Sequence, residues 1–271
     1  MKKLFTLLTL IVTIIALNGC SANDDTEIEV IATQLPHAEI LEFARPLLEE
    51  KGYTLKITTT SDYYFPNPAI AAKDADANYF QHIPFLDLYN ENNPDFGLVV
   101  AARVHIEPIG LYANDYDSLS EIPNGAQVLL SNSISDHGRA LKLLESAGLI
   151  TLKDEVDITA SDFDISEAIE SNPKNLIFRT DVAPDFMISA YQNKETDLYI
   201  INSNYVLEGG LDPLTDSIYI EEAENNPYVN VVAVREDRLD DPKIIALVEV
   251  LESEAVKAFI LETYGGAVIP S

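Results

Sequence analysis

The chain of 271 residues is 47% hydrophobic and 23% charged, enough apolar material for one large or two moderate domains, each with its own core. Its 45 Asp+Glu against 17 Lys+Arg give a formal net charge of −28, dispersed along the whole length, which reads as a solubilising surface and disfavours any nucleic-acid role. Cys20 is the only cysteine, so neither an internal disulfide nor a cysteine-rich metal site is available.

Residues 1–19 read as a signal peptide. Lys2 and Lys3 form a positive start, residues 4–17 are an apolar run too short to span a bilayer comfortably, and "LNGC" at 17–20 resembles a bacterial lipobox. Cleavage there leaves Cys20 to be acylated, an anchor that holds the protein outside the cytoplasmic membrane, at the cell surface or in the periplasm, with no transmembrane helix. The alternative is a plain secretory signal with an incidental cysteine. Residues 20–27 are polar and read as a flexible tether.

Strand-like and helical patterns then alternate. "IEVIAT" (28–33) is a short β-branched strand, "HAEILEFARPLLEEKG" a helix stopped by Gly52, and "YTLKITTT" an alternating strand. "DANYFQHIPFL" (76–86) packs Tyr79, Phe80, His82, Pro84 and Phe85 into a few positions and matches neither a plain strand nor a plain helix; the question is whether these rings fill a core or line a pocket. "IGLYA" and "AQVLLS" read as strands before the amphipathic "HGRALKLLESAGLI", and "NLIFRT", "TDLYIIN" and "VNVVAV" as later ones. The end reads as one or two helices, opened by Asp240-Asp241-Pro242 and closed by Gly265-Gly266. Such alternation predicts an α/β architecture with mostly parallel sheets.

The search for catalytic patterns is empty: no G-x-G-x-x-G, no Walker loop, no H-E-x-x-H helix, no G-x-S-x-G elbow. His37, His82, His105 and His137 lie far apart, with no pair at metal-ligand spacing, so no metal and no cofactor is expected. Arg139 is more telling. With Ser135 or Asp136 as N-cap it falls in the first turn of a helix, against the dipole, a placement that makes sense if its guanidinium forks onto a bound carboxylate. The plainer reading is an exposed arginine beside an acid. "IINSNY" (200–205) and "NNPYVN" (225–230) carry asparagines at strand ends, where an amide suits a zwitterion as well as it suits a turn.

Taken together, "PHAEILEFARPLLEEKG", "SDYYFPNPAIAAKDADANYFQHIPFL", "VHIEPIGLY", "GRALKLLESAGLITLKD", "NNPYVNVVAVRED" and the closing "GGAVIP" resemble the NlpA family, the methionine-binding lipoproteins of bacterial ABC importers. The resemblance runs from about Ile28 to Pro270. It implies a two-lobed fold like that of the type II periplasmic binding proteins, with the ligand closed in the cleft between α/β lobes. Residues 28–106 plus 222–271 are expected to form lobe 1, and 107–221 lobe 2. By motif position it implies that Tyr63, Phe80, His82 and Phe85 receive a methionine side chain. Sulfur against aromatic edges is worth about 0.3–1.5 kcal/mol per contact. Arg139 would take the carboxylate, and Asn202 and Asn230 would complete the hold on carboxylate and ammonium. Tyr79, of opposite strand parity to Phe80, is left to the core.

The implied function is a non-enzymatic, lipid-anchored protein that captures L- or D-methionine, or a related amino acid or dipeptide, and passes it to a permease and its ATPase. Several positions depart from the family. Phe65 stands where a smaller residue is common, and Phe85 where tyrosine is common. The loop "NSISDHGR" (132–139) and the segment 178–197 also differ. The alternative function is a surface lipoprotein that acts by protein–protein contact, adhesin-like, without transport.

Overall fold

The computed structural model describes residues 26–155, 157, 160 and 164–271. The signal segment and Cys20 lie outside the described residues. Of the expected tether only Thr26 and Glu27 are described, and Glu27 already opens the first strand.

In chain order, β1 (Glu27–Ala32), α1 (Glu39–Glu50), β2 (Thr54–Thr59), α2 (Pro66–Ala71), β3 (Ala77–His82), α3 (Ile83–Asn92) and β4 (Leu98–Ile106) form the first unit. The helix pattern of α1 buries Ile40, Leu41, Ala44 and Leu48 against the sheet, and Gly52 at φ +88° carries the chain out of it. The puzzling aromatic stretch is a strand that turns directly into a helix. All six residues of β3 are buried, and His82 then caps α3, its Nδ1 accepting from the Phe85 N–H at 3.2 Å, with Pro84 in the first turn. Strand alternation sends Tyr79 into the main core of this unit and Phe80 to the opposite side, beside Tyr63 and Phe85. Core and pocket are thus both served, by alternate rings.

After residues 107–109 the chain enters a second sheet with β5 (Gly110–Ala113) and β6 (Gln127–Ser131), followed by α4 (His137–Ser146). A small antiparallel pair, β7 (Thr151–Leu152) and β8 (Ile169–Ser171), flanks α5 (Ile165–Ala168). Then come β9 (Ile177–Val182), α6 (Met187–Gln192), β10 (Leu198–Ile201), α7 (Ser203–Glu208) and β11 (Tyr219–Ile220). The chain returns to the first sheet with β12 (Val229–Arg235), α8 (Pro242–Leu251), α9 (Glu254–Tyr264) and β13 (Ile269–Pro270).

The first sheet runs β13-β4-β12-β3-β1-β2 and the second β11-β5-β10-β6-β9. Both are mixed, which corrects the expectation of mostly parallel sheets. The β-α-β units give parallel pairs (β1 with β2 and β3; β6 with β9 and β10), whereas β4, β5, β11, β12 and β13 pair antiparallel. Apart from the C-terminal β13, the antiparallel strands are those that lead into or out of the two crossings between sheets, where no helix intervenes to reverse direction. Each sheet has its own apolar core, and the two lobes meet across a cleft. Among the described residues, no helix is long and apolar enough to cross a membrane.

The lobes are closed on one another. Tyr205 Oη donates to the Ser61 carbonyl at 2.7 Å, and the Leu35 N–H to Glu208 at 3.3 Å. The crossings are laced together, with the Glu221 N–H on the Ile109 carbonyl at 2.9 Å and the Ile109 N–H on the Glu221 carboxylate at 3.2 Å.

Candidate ligand-binding site

A cavity between the lobes is lined by Tyr63, Phe80, His82, Phe85, Arg139, Asn202 and Asn230, the seven residues singled out from sequence, together with Gln81, Glu107, Ile109, Ser203 and Asn204. Its free volume is about 20 Å³, room for a water molecule, so anything the size of an amino acid enters only as the lobes part.

One wall is aromatic. Tyr63, Phe80 and Phe85 stand 5.7–6.1 Å apart, in tilted or edge-on pairs, and His82 adds its edge to Phe85 at 6.3 Å and to Tyr228 at 5.0 Å. Such rings offer polarisable edges to a flexible side chain.

The other wall is polar, and each amide on it is oriented by a partner. Arg139, in the first turn of α4, is only 2% exposed, which removes the exposed-surface reading. The carboxylate it forks onto belongs to this chain: Nε and Nη2 donate to Glu221 at 3.0 and 2.6 Å, and Nη2 also to the Glu107 carbonyl at 2.7 Å. Burial alone would ease its proton off, but Glu221 more than offsets this and keeps it charged. Among the described residues nothing bonds to Nη1, the edge left to the cavity.

Asp136 occupies the N-cap position of α4 without capping it, contrary to expectation. Its carboxylate instead accepts from His82 Nε2 at 2.8 Å across the cleft and from Asn202 Nδ2 at 3.4 Å. Burial pushes its pKa up, and His82 and Arg139 pull it down further, so it stays ionised. Asn202 lines the cavity with its nitrogen so committed. Asn204 does the reverse. Its Oδ1 accepts from Tyr63 Oη at 2.6 Å, and its buried Nδ2 has no partner.

Behind this wall lies a histidine pair that sequence spacing did not announce. His105 Nε2 and His37 Nε2 approach the same Glu107 oxygen at 2.8 and 3.2 Å, while their Nδ1 atoms face Tyr79 Oη and Thr33 Oγ1. A carboxylate oxygen can only accept, so both Nε2 atoms carry the proton and both hydroxyls donate to Nδ1. Burial drives His37 down to about 4, against the pull of Glu107, and His105 down to about 3, so both rings are neutral near pH 7. The three groups bring metal-ligand atoms within 4.8 Å of one another. All four ring nitrogens already have hydrogen-bond partners, so the cluster is complete without an ion. His37 Nε2 also reaches Asn230 Oδ1 at 3.0 Å, which leaves Asn230 Nδ2 for the cavity.

Sequence reasoning missed Glu107, Asn204 and Glu221. Asn204 stood two places from Asn202 in the same "NSN" run. Glu107, in "VHIEP" between two buried strands, was hidden among many other acids.

The chain matches the family described as NlpA lipoprotein over residues 28–271. It is similar to the methionine-binding lipoprotein MetQ of Bacillus subtilis (strain 168), 48% identical over 278 residues that cover 100% of this chain and 99% of the relative. A nutrient-binding protein from Burkholderia cenocepacia, solved bound to methionine, superposes with a TM-score of 0.83 at 32% identity, covering 90% of this chain and 99% of that one. A periplasmic substrate-binding protein of an ABC transporter from Coxiella burnetii gives a TM-score of 0.81 at 35% identity, over 90% and 100% of the two chains. A match that runs from the first strand to the last residue, on a shared two-lobed fold, makes this chain a member of the NlpA lipoprotein family.

Proposed function

We propose that this chain is a lipid-anchored, extracytoplasmic substrate-binding protein that captures methionine, or a methionine-like ligand, between its lobes and delivers it to an ABC importer. One observation carries the reading: seven residues from separate segments converge on one interlobe cavity, with rings on one side and a buried arginine and asparagines on the other. In this reading the thioether lies against Tyr63, Phe80 and Phe85, with His82 as a polar limit, and the carboxylate meets Arg139 Nη1 and Asn230 Nδ2. Asn202 completes the polar hold. The names of the relatives support the ligand and the transport role. Acylated Cys20 would tether the domain to the bilayer, the permease and its ATPase would be its partners, and the lobes would divide at 28–106 plus 222–271 and 107–221. No catalytic step is part of the proposal.

Calorimetric titration of the mature domain, unfolded and refolded to strip carried ligand, tests this with L-methionine, D-methionine, a methionine dipeptide, leucine and glutamine. The expected result is tight binding of a methionine compound, weakened at least about tenfold by Phe80→Ala. Silence across the panel from folded protein would sink the reading and bring the protein-contact alternative forward.

A further inference from the structure

We propose that an apolar chamber on the far side of the aromatic wall is a second subsite, which receives uncharged S-substituents longer than methyl; this rests on the methionine reading of the cleft given above. The chamber holds about 370 Å³ of free volume, against about 20 Å³ in the ligand cavity. Tyr63 and Phe85 line both spaces, so these two rings form the partition between them. The remaining sides come from both lobes, with Leu88 and Tyr89 of α3 on one and the loop 132–135 on the other. Like the ligand cavity, the chamber takes its shape from the closed lobes, and an occupant that touches both sides favours closure.

Its lining fixes the chemistry of that occupant. Among the described residues no Asp, Glu, Lys or Arg lines it, although acids crowd the rest of the chain. Its amides are committed within the protein: Asn67 bonds Gln81 and Asn78, while Asn92 and Asn93 donate to the Leu88 and Tyr89 carbonyls of α3. The Ser133 and Ser135 hydroxyls meet each other at 3.2 Å. What remains is apolar surface and the Tyr89 hydroxyl, which is buried without a hydrogen-bond partner. Such a space suits an alkyl or aryl group with no charge and at most one polar atom.

The partition can open at one ring. Tyr63 is fastened through its hydroxyl to Asn204 at 2.6 Å. The Phe85 side chain has no polar atom and packs on Tyr63, Tyr64, Phe80 and His82 at 5.7–6.3 Å between ring centres. Its rotation therefore costs no hydrogen bond, and it joins the two spaces at the point where the thioether of the proposed pose ends. Head and tail of one ligand would then be enclosed in a single closure of the lobes, which favours the ligand's own side chain over a separate molecule.

Calorimetry on the mature chain with methionine and with S-butyl-homocysteine, which adds three methylenes and keeps the amine and carboxylate, tests the proposal. Wild-type protein is expected to bind the butyl compound at least as tightly as methionine, and up to about 30-fold more tightly. Leu88 lines the chamber and not the ligand cavity. Leu88→Trp should therefore weaken the butyl compound about 30-fold or more while changing methionine less than about threefold. Ile134→Trp, at a position 45% exposed, fills the chamber from the other lobe and should act alike, so the result does not hang on one variant folding. Phe85→Ala removes the partition and should move the preference about tenfold further toward the butyl compound. A wild type that binds methionine but holds the butyl compound about 100-fold more weakly would overturn the subsite and leave the methionine reading standing. Equal loss of both ligands in the two folded tryptophan variants would overturn it as well. Binding of the butyl compound alone, lost in those variants, would support the subsite and displace methionine as the ligand. If folded protein binds neither, both readings fall.

Discussion

The two walls of the cleft are built on opposite plans. The aromatic wall comes from one short length of chain, Tyr63 to Phe85, and its rings meet at distances that a small rotamer change can alter. The polar wall is gathered from the two crossings, the start of α4, the start of α7 and β12, and its members are tied to partners within the protein. The first wall supplies shape and tolerates a range of apolar groups. The second supplies sign and register, and it stays ordered by its own bonds. Selectivity for the ligand's head group is therefore expected to be stricter than for its side chain.

Arg139→Ala strikes that contrast hardest. It strips Glu221 of its ion pair and the Glu107 carbonyl of a donor, with an expected loss of about 3–5 kcal/mol in denaturant unfolding and no measurable ligand affinity. The double variant Arg139→Ala/Glu221→Ala should regain much of the stability but none of the binding. A double variant as unstable as the single one would break the idea that this wall is internally compensated.

Acid should act next most strongly, through the wall's buried support. The folded pKa values of His37 and His105, about 4 and about 3, lie below the ordinary 6.5, so the unfolded chain takes up protons first. Their contribution is whole above pH 6.5 and drains as the pH falls toward those values. Glu107, raised by burial, works in the opposite direction. Comparing His105→Gln with wild type isolates one ring. Between pH 6.5 and 4.5 the variant should lose about 2 kcal/mol less stability than wild type. Identical pH slopes would mean His105 is not buried as a neutral ring.

Tyr63→Phe is the mildest probe and acts where the walls touch. It removes the 2.6 Å bond across the cleft and leaves both ends of the Asn204 amide unsatisfied. The expected cost is about 1–2 kcal/mol in a thermal melt, with affinity lower by about tenfold at most because the ring remains. A larger affinity loss would show that the hydroxyl itself meets the ligand.

The aromatic wall was legible because its residues are rare types crowded into one motif, and strand parity alone separated Tyr79 from Phe80. The polar wall was half legible. Arg139 stood out by its position against a helix dipole, yet its partner Glu221 lies 82 residues away, and His37 meets Asn230 across 193. No local pattern encodes such meetings. Glu107 was invisible for another reason: with 45 acids in the chain, a carboxylate signals nothing until its burial is known. The sheets were misread as mostly parallel because alternation counts elements and says nothing about where a returning strand is inserted.

That insertion has a consequence for how the protein is made. Every strand of the second sheet lies between residues 110 and 220, so that lobe can complete as soon as its own segment emerges. The first sheet cannot, because β12 sits between β3 and β4. Until residues 229–235 arrive, two apolar strands wait with open edges, the condition in which a nascent chain is most prone to aggregate and most in need of a chaperone. Asn230 rides on that late-arriving strand, opposite His82, so no fragment that stops short of it contains the binding cavity, however well its lobe 2 has folded.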